Sequence, residues 1–250
     1  MTVPAIYSRA AVKPLGRKSY GSIGHLPGSR LGPGDHHIHD GQSRAVLEAL
    51  PKGDRLVVQE KLDGSNVGVC KVDGKIIAIN RAGWDCWSSP HEQHRMFAAW
   101  VQRNADRFDA ILGEWERICG EWIALAHGTL YALKHEPFVP FDVFTAANER
   151  MVFTAFLERA HRARLVTPHV FHFQNVACPL SYVADAPSHH GAADGIKEGV
   201  VYRWERDDRV LMLAKWVRPD KLDGNLLVGK KDAGMTATQE TWNWRLEGWR

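Results

Sequence analysis

Lys61 stands among polar neighbours in the stretch LVVQEKLDGSNVGV (residues 56–69): Glu60 precedes it, and Asp63, Ser65 and Asn66 follow. Apolar runs flank this cluster, Leu56-Val57-Val58 before it and Val67-Gly68-Val69 after it. A charge buried beside such runs is costly unless it is paired or used. Either the stretch is a surface turn between two strands, or Lys61 is held in a pocket to do chemistry. Polar side chains interrupt apolar runs again at Arg81, at Glu121, at Glu198, and at Lys215 with Arg218. Singly, each is ordinary. Their recurrence along one chain points to a shared site.

Such a set meets the needs of nucleotide transfer. An amine attacks an α-phosphate only when unprotonated, so a nucleophilic Lys61 needs its pKa lowered by neighbouring cations or desolvation. Lys215 or Arg218 would do this while also holding phosphate oxygens. A hard divalent cation takes oxygen ligands, which Glu198 and Glu121 offer. The ring of Phe141 would stack on a base. Asp63 has two readings, orienting Lys61 or fixing the turn before Gly64.

Strands and helices must bring these residues together. Asp73-Gly74 joins two alternating runs in VGVCKVDGKIIAINR as a tight hairpin turn. Ser89, Pro90 and Glu92 read as a capping box with proline at the first helical position. The helix they open carries Met96, Phe97, Trp100 and Val101 on one face. Strands are expected over 117–125 and 137–144, and a second amphipathic helix over about 148–163, with Phe153, Phe156, Leu157 and Ala160 inward. Residues 198–218 read as a hairpin turning at Arg206–Asp208. Ser43 would cap a short helix over 43–50. Trp242, Leu246 and Trp249, spaced i, i+4 and i+7, predict a C-terminal helix docked on the body. The fold class is α+β, with mainly antiparallel strands and flanking helices.

The chain of 250 residues, 44% hydrophobic and 24% charged, is long enough for a sizeable core. No run of about 18 apolar residues appears, so no membrane span is expected. The N-terminus lacks the apolar stretch of a secretory signal. Four scattered cysteines, with no C-x-x-C, argue against a zinc knuckle or a disulfide framework and fit a reducing, cytoplasmic setting. Net charge is only +3, yet Arg9, Lys13, Arg17, Lys18 and Arg30 all precede the first acid, Asp35. That segment either attracts phosphates or is a solvated arm. The Gly/Pro-rich loop HLPGSRLGPGDHHIHDG (25–41) carries His36, His37 and His39 without a fixed partner cluster, so zinc is not expected there. Its Ser29-Arg30 either contacts a terminal phosphate or lies in a loop that wraps the sheet edge.

The order of these segments resembles the covalent nucleotidyltransferase superfamily of ATP-dependent ligases and mRNA capping enzymes. EKLDGSN looks like its first motif, with Lys61 taking the nucleotide. NRAG, CGEW, PFVPFDVF, KEGVVYR and LAKWVRPD look like the motifs that follow, over roughly 56–220. The resemblance implies that Arg81 contacts the nucleotide or its phosphates and Glu121 the ribose. It implies further that Phe141 stacks on the purine, Glu198 assists a metal, and Lys215 holds the α-phosphate. Glu60 and Asn66 are similar to residues of the RNA ligase 2-like branch, where the glutamate reads the adenine amino group. Two features depart from the pattern. Val217 stands where many relatives have a second lysine, leaving Arg218 as a substitute clamp. The 32 residues after Arg218 are too few for an oligonucleotide-binding barrel.

The resemblance implies an ATP-grasp-like ligase adenylation fold without a C-terminal OB barrel. Residues 1–50 form a basic arm and loop, 51–220 the nucleotidyltransferase domain, and 221–250 a short helical tail. The implied activity is ATP-dependent RNA ligation through lysyl-AMP, with Mg2+ or Mn2+. Its partners would be a 5′-phosphate end, a 3′-hydroxyl end and an end-processing protein. DNA ligase, capping guanylyltransferase, and a nucleotide- or RNA-end-binding module without turnover are the alternatives.

Overall fold

The computed structural model describes residues 11–222, 224–228 and 239–249. In chain order its elements are β1 (Gly24–His25), α1 (Asp40–Leu47), β2 (Arg55–Lys61), β3 (Ser65–Val72), β4 (Lys75–Asn80), α2 (Glu92–Arg103), α3 (Ala105–Asp109), β5 (Arg117–Trp122), β6 (Phe138–Phe144), α4 (Phe153–Arg162), β7 (Val170–Gln174), β8 (Gly199–Arg206) and β9 (Arg209–Val217). The strands form two sheets, ordered β1-β9-β8-β2-β7 and β4-β3-β5-β6. Pairing is antiparallel throughout both sheets apart from β1 against β9. The fold is thus α+β with mainly antiparallel sheets, as expected, and among the described residues no barrel closes.

Alternation along the strands divides the faces. Val67, Val69, Ile118 and Trp122 of the four-stranded sheet turn toward the helices. There they pack with Met96, Phe97, Trp100 and Val101 of α2 and with Phe153, Phe156 and Ala160 of α4. The 3.6-residue period of α2 and the two-residue period of the strands make this contact. In the five-stranded sheet, Leu56, Val58, Val200 and Tyr202 pack outward against Val46 of α1. Asp73 and Gly74 take φ of +51° and +69°, the left-handed pair that the tight β3–β4 turn requires.

Between the sheets the core is mixed. Tyr20, Cys119, Phe144 and Leu213 pack with Phe141 and Val201. Beside them the buried Asp142 accepts from Tyr20 at 2.6 Å, from Arg203 at 2.5 Å and from Arg150 at 2.9 Å. Arg203 also donates to Glu205 at 2.8 Å, and Glu205 accepts the Phe153 amide at 2.6 Å, capping α4. Every charge in this network is paired, which is what makes its burial tolerable.

Three local expectations are corrected. Helix α2 begins at Glu92 with no side-chain cap. Ser89 Oγ instead accepts from His91 N at 3.2 Å and lies 2.8 Å from His94 Nδ1, so Pro90 stays outside the helix. Helix α1 starts at Asp40, ahead of Ser43. Residues 239–249 form no helix. They run irregularly along residues 124–131, held by Asn243 N to Ala124 O at 2.8 Å and Tyr131 N to Asn243 Oδ1 at 2.9 Å. Trp242, Leu246 and Trp249 still pack on the main core. Arg9 of the basic segment and residues 236–238 and 250 of the expected tail helix lie outside the described residues. The four cysteines are free and buried, and among the described residues no helix is long and apolar enough to cross a membrane.

Candidate active site

The polar stretch after Val58 is where the chain leaves one sheet for the other. β2 ends at Lys61 and β3 begins at Ser65, so Leu62-Asp63-Gly64 is the whole crossing. Leu62 plugs it, buried against Ile123, Tyr131 and Val139. A Cβ on Gly64 would lie 2.5 Å from the Trp122 carbonyl oxygen, so only glycine lets the chain pass there. The stretch is a junction between sheets rather than a surface turn, and it opens on a cavity of about 690 Å³.

Both sheets line that cavity. From the five-stranded sheet come Gln59 and Lys61 of β2, Val201 of β8, and Leu213 and Lys215 of β9. Their cross-strand register, Gln59 opposite Val201 and Val201 opposite Lys215, sets them on one face. Glu198 reaches the cavity from the residue before β8. Gly199 beside it sits so close to β9 that a Cβ would be 2.0 Å from the Trp216 carbonyl oxygen. The four-stranded sheet supplies Asn66 and Glu121, paired across β3 and β5, together with Phe141. The β5–β6 register shifts at Cys119/Gly120, from Cys119 opposite Asp142 to Gly120 opposite Pro140, and leaves Phe141 as the bulged residue. Its ring meets Tyr20 edge-on, with centroids 5.1 Å apart. Arg81 follows β4 and is tied to Ser22 Oγ at 3.1 Å.

Lys61, Asn66, Arg81, Glu121, Phe141, Glu198 and Lys215 therefore converge on one cavity. Arg218 does not line it, and its guanidinium lies 3.4 Å from Asp220. The next lysine, Lys221, comes closer to the site, donating to Asp63 Oδ2 and Thr129 Oγ1, both at 2.6 Å. Asp63 Oδ2 also accepts from Gly128 N at 2.9 Å, so its carboxylate anchors two segments behind the crossing. Nothing in the local pattern of either segment marks that contact. Glu60 also borders the cavity. Its two oxygens accept from Ser188 Oγ at 2.6 Å and His189 N at 2.8 Å, so the carboxylate pins the 188–190 loop. Alternation along β2 turns it away from Lys61.

The electrostatics of Lys61 run opposite to the expectation of a lowered pKa. Burial works against its charge, but Glu198 at 2.6 Å, with Glu121 and Asp63, holds the amine above the ordinary lysine range. Lys61 without a ligand is a paired ammonium. Burial pushes the Glu121 carboxyl up to about 8, opposed by Lys61 and by its bond from Gly64 N at 3.1 Å. Lys215 shifts the other way, lowered by burial and by Lys61. A further wall is histidine-rich. His94 sits between Ser65 Oγ at 2.9 Å and Ser89 Oγ at 2.8 Å, and burial brings its pKa down to about 4.

Among the described residues no group of three His, Cys, Asp or Glu is set to hold a metal ion. The donors present nonetheless fit a magnesium-like cation, which takes one or two protein carboxylates and completes its shell with phosphate and water. Glu198 and Glu121 would supply the carboxylates. Asn66 Oδ1 is buried with no hydrogen-bond partner among the described residues, an oxygen suited to such use.

Comparison with known proteins bears on this geometry. The RNA ligase family profile matches residues 54–217, more than half of the chain. No curated protein matches the sequence. Among solved structures, an alanine variant of the Naegleria gruberi RNA ligase with ATP and Mn superposes with a TM-score of 0.52, at 16% identity, covering 78% of this chain and 58% of that one. The same ligase with PPi gives 0.52 and 16%, with the same coverage. An apo alanine variant gives 0.53 and 14%, covering 80% of this chain and 61% of that one. At such identity the likeness is one of fold. This chain spans about three fifths of that ligase's length.

Proposed function

Because the chain belongs to the RNA ligase family, we propose that it is an ATP-dependent RNA ligase of the RNA ligase 2-like branch that works through lysyl-AMP. The observation that carries this reading is the convergence of an amine, its carboxylate partner and a second cation on one cavity: Lys61, Glu198 and Lys215. Asn66 and Glu121 face them from the other sheet.

In the first step Lys61, relieved of its proton, attacks the α-phosphorus of ATP. The N–P bond forms, the bond to the bridging oxygen between α- and β-phosphates breaks, and pyrophosphate leaves. An RNA 5′-phosphate oxygen then displaces Lys61 from phosphorus. Finally a 3′-hydroxyl attacks that 5′-phosphate and AMP departs. All three are transfers at phosphorus, in which positioning and charge neutralisation dominate. Lys215 and Arg81 bear on the phosphates, and Phe141 on the base. Glu121 accepts from the ribose. Glu60 acts indirectly by fixing the 188–190 loop. A divalent cation held by Glu198, with Glu121 and Asn66, would neutralise phosphate charge and compete with Lys61 for Glu198.

Residues 51–220 form the nucleotidyltransferase unit in this reading. The protein acts on RNA ends, prepared where necessary by a separate end-processing protein. Incubation with α-labelled ATP or GTP and magnesium, followed by denaturing electrophoresis, tests the proposal. Label from ATP on the native chain, absent from Lys61→Ala, is expected. Label from GTP would indicate capping-type chemistry, and no label on a folded protein free of bound AMP would leave a binding module.

A further inference from the structure

The Gly/Pro-rich segment after β1 ends in a carboxylate aimed at Lys215. β1 lies parallel to β9 with His25 opposite Lys215, and Leu26 N donates to Lys215 O at 2.8 Å. The chain then loops out and returns, with His25 N donating to His36 O and Ile38 N to His25 O, both at 2.9 Å. The return brings Asp35 Oδ1 to 3.6 Å from Lys215 Nζ and Asp35 Oδ2 to 3.1 Å from His25 Nε2. Gly32 N donates to the same Oδ2 at 3.0 Å. Across the imidazole, Nδ1 is 2.7 Å from Ser29 Oγ, and that oxygen accepts from Val217 N at 2.9 Å. Ser29 Oγ also donates to Arg30 O at 3.3 Å. The contacts leave β9 at Val217 and come back to β9 at Lys215.

We propose that Asp35 is a positioning residue for Lys215: the Gly32 amide aims its carboxylate beside His25, and that carboxylate holds the Lys215 ammonium at the cavity wall until a phosphate oxygen replaces it. The inference rests on the phosphate role given to Lys215 above. A separation of 3.6 Å exceeds the roughly 2.7–2.9 Å of a strong charge-assisted bond, so an incoming phosphate can displace it. The other charges facing Lys215 are Lys61 from β2, Arg81 after β4 and Glu198 before β8. Glu198 is engaged at 2.6 Å by Lys61, so Asp35 is the carboxylate committed to Lys215. Burial, Lys61 and Arg81 favour loss of the Lys215 proton, and Asp35, followed by Glu198, opposes them. Removing Asp35 therefore lets Lys215 deprotonate at lower pH.

The test uses the full chain with Asp35→Asn and Asp35→Glu, their folding checked by thermal melts. It reads Lys61 labelling by ATP across pH, and pyrophosphate binding by calorimetry. Asp35→Asn is expected to weaken pyrophosphate binding and raise the KM for ATP by about tenfold, the size of one charge-assisted contact. The alkaline limb of labelling should move to lower pH, with Asp35→Glu restoring it. Wild-type KM, pyrophosphate affinity and pH profile in Asp35→Asn would overturn the proposal, as would identical behaviour of the two variants. If the native chain takes no label, lysyl transfer fails, and the pyrophosphate titration still decides Asp35. Equal pyrophosphate binding by native and Asn forms, or none by either, would reject it.

Discussion

Replacing Glu198 by glutamine should release the Lys61 amine. The two groups are 2.6 Å apart, with side chains 22% and 7% exposed, so water screens them poorly. Coulomb's law at that distance, with an effective dielectric constant of about 20, gives about 6 kcal/mol favouring the ammonium. Glu121 and Asp63 keep part of that pull, and water entering beside the amide offsets more. If half survives as an effect of the substitution, about 3 kcal/mol, the fraction of free amine at a given pH rises about 100-fold. Competitive acetylation read by mass spectrometry measures this directly, with the exposed Lys75 as internal standard. It is run without nucleotide or divalent cation, so that Glu198 is probed only as the partner of Lys61. At pH 8 the Lys61-to-Lys75 labelling ratio in Glu198→Gln should exceed the native ratio by about two orders of magnitude. A ratio within threefold of native in a folded variant, repeated with Glu198→Ala, would refute the ion pair as the source of the raised pKa.

Other consequences concern stability and pH. Trp100→Ala or Phe97→Ala removes a fully buried ring from the main core and should cost about 3–5 kcal/mol in denaturant unfolding. Asp142→Leu strands the buried Arg203 and frees Arg150 and Tyr20, and should cost about 3–5 kcal/mol, more than Arg203→Leu with Asp142→Leu combined. Glu121, lifted to about 8 from 4.5, contributes stability that is complete below about 4.5 and lost as pH rises through about 8. In metal-free buffer Glu121→Gln, which cannot ionise, should gain on the native chain in melting temperature across that window, and a constant difference would contradict the assignment.

How much of this was legible in the sequence depended on the range of the interaction. The hairpin turn at Asp73-Gly74 and the apolar face of α2 are set by neighbours a few residues apart, and both could be read directly. So could the recurrence of polar residues beside apolar runs, which marked Lys61, Glu121, Glu198 and Lys215 before any geometry was known. Ser89, a good cap by type, does not cap α2 because it is drawn instead to His91 and His94. The tail has helical spacing at Trp242, Leu246 and Trp249, yet hydrogen bonds from Asn243 hold it irregular. The side-chain state of Lys61 was beyond reach, since it depends on which charges the fold puts nearest. Cations at Lys215 and Arg218 suggested a lowered pKa, whereas Glu198 took the contact and Arg218 turned aside. Lys221 on Asp63 and Asp35 on Lys215 were invisible for the same reason.

The order in which the two sheets can be assembled follows from their strands. The four-stranded sheet draws on residues between Ser65 and Phe144, a nearly continuous stretch of chain. The five-stranded sheet gathers β1, β2, β7, β8 and β9 from both ends, and Lys61 meets Glu198 across 137 residues of sequence. Contacts so distant are slow to close and come late when a chain emerges from its N-terminus. The ribosome thus delivers one wall of the cavity while β7, β8 and β9 of the other are still unsynthesised. Pulse-labelled hydrogen exchange during refolding should protect β3–β6 before β8 and β9. Until those last strands dock, Lys61 has neither its carboxylate partner nor the lysine across the sheet, and an unfinished chain carries Lys61 without the site.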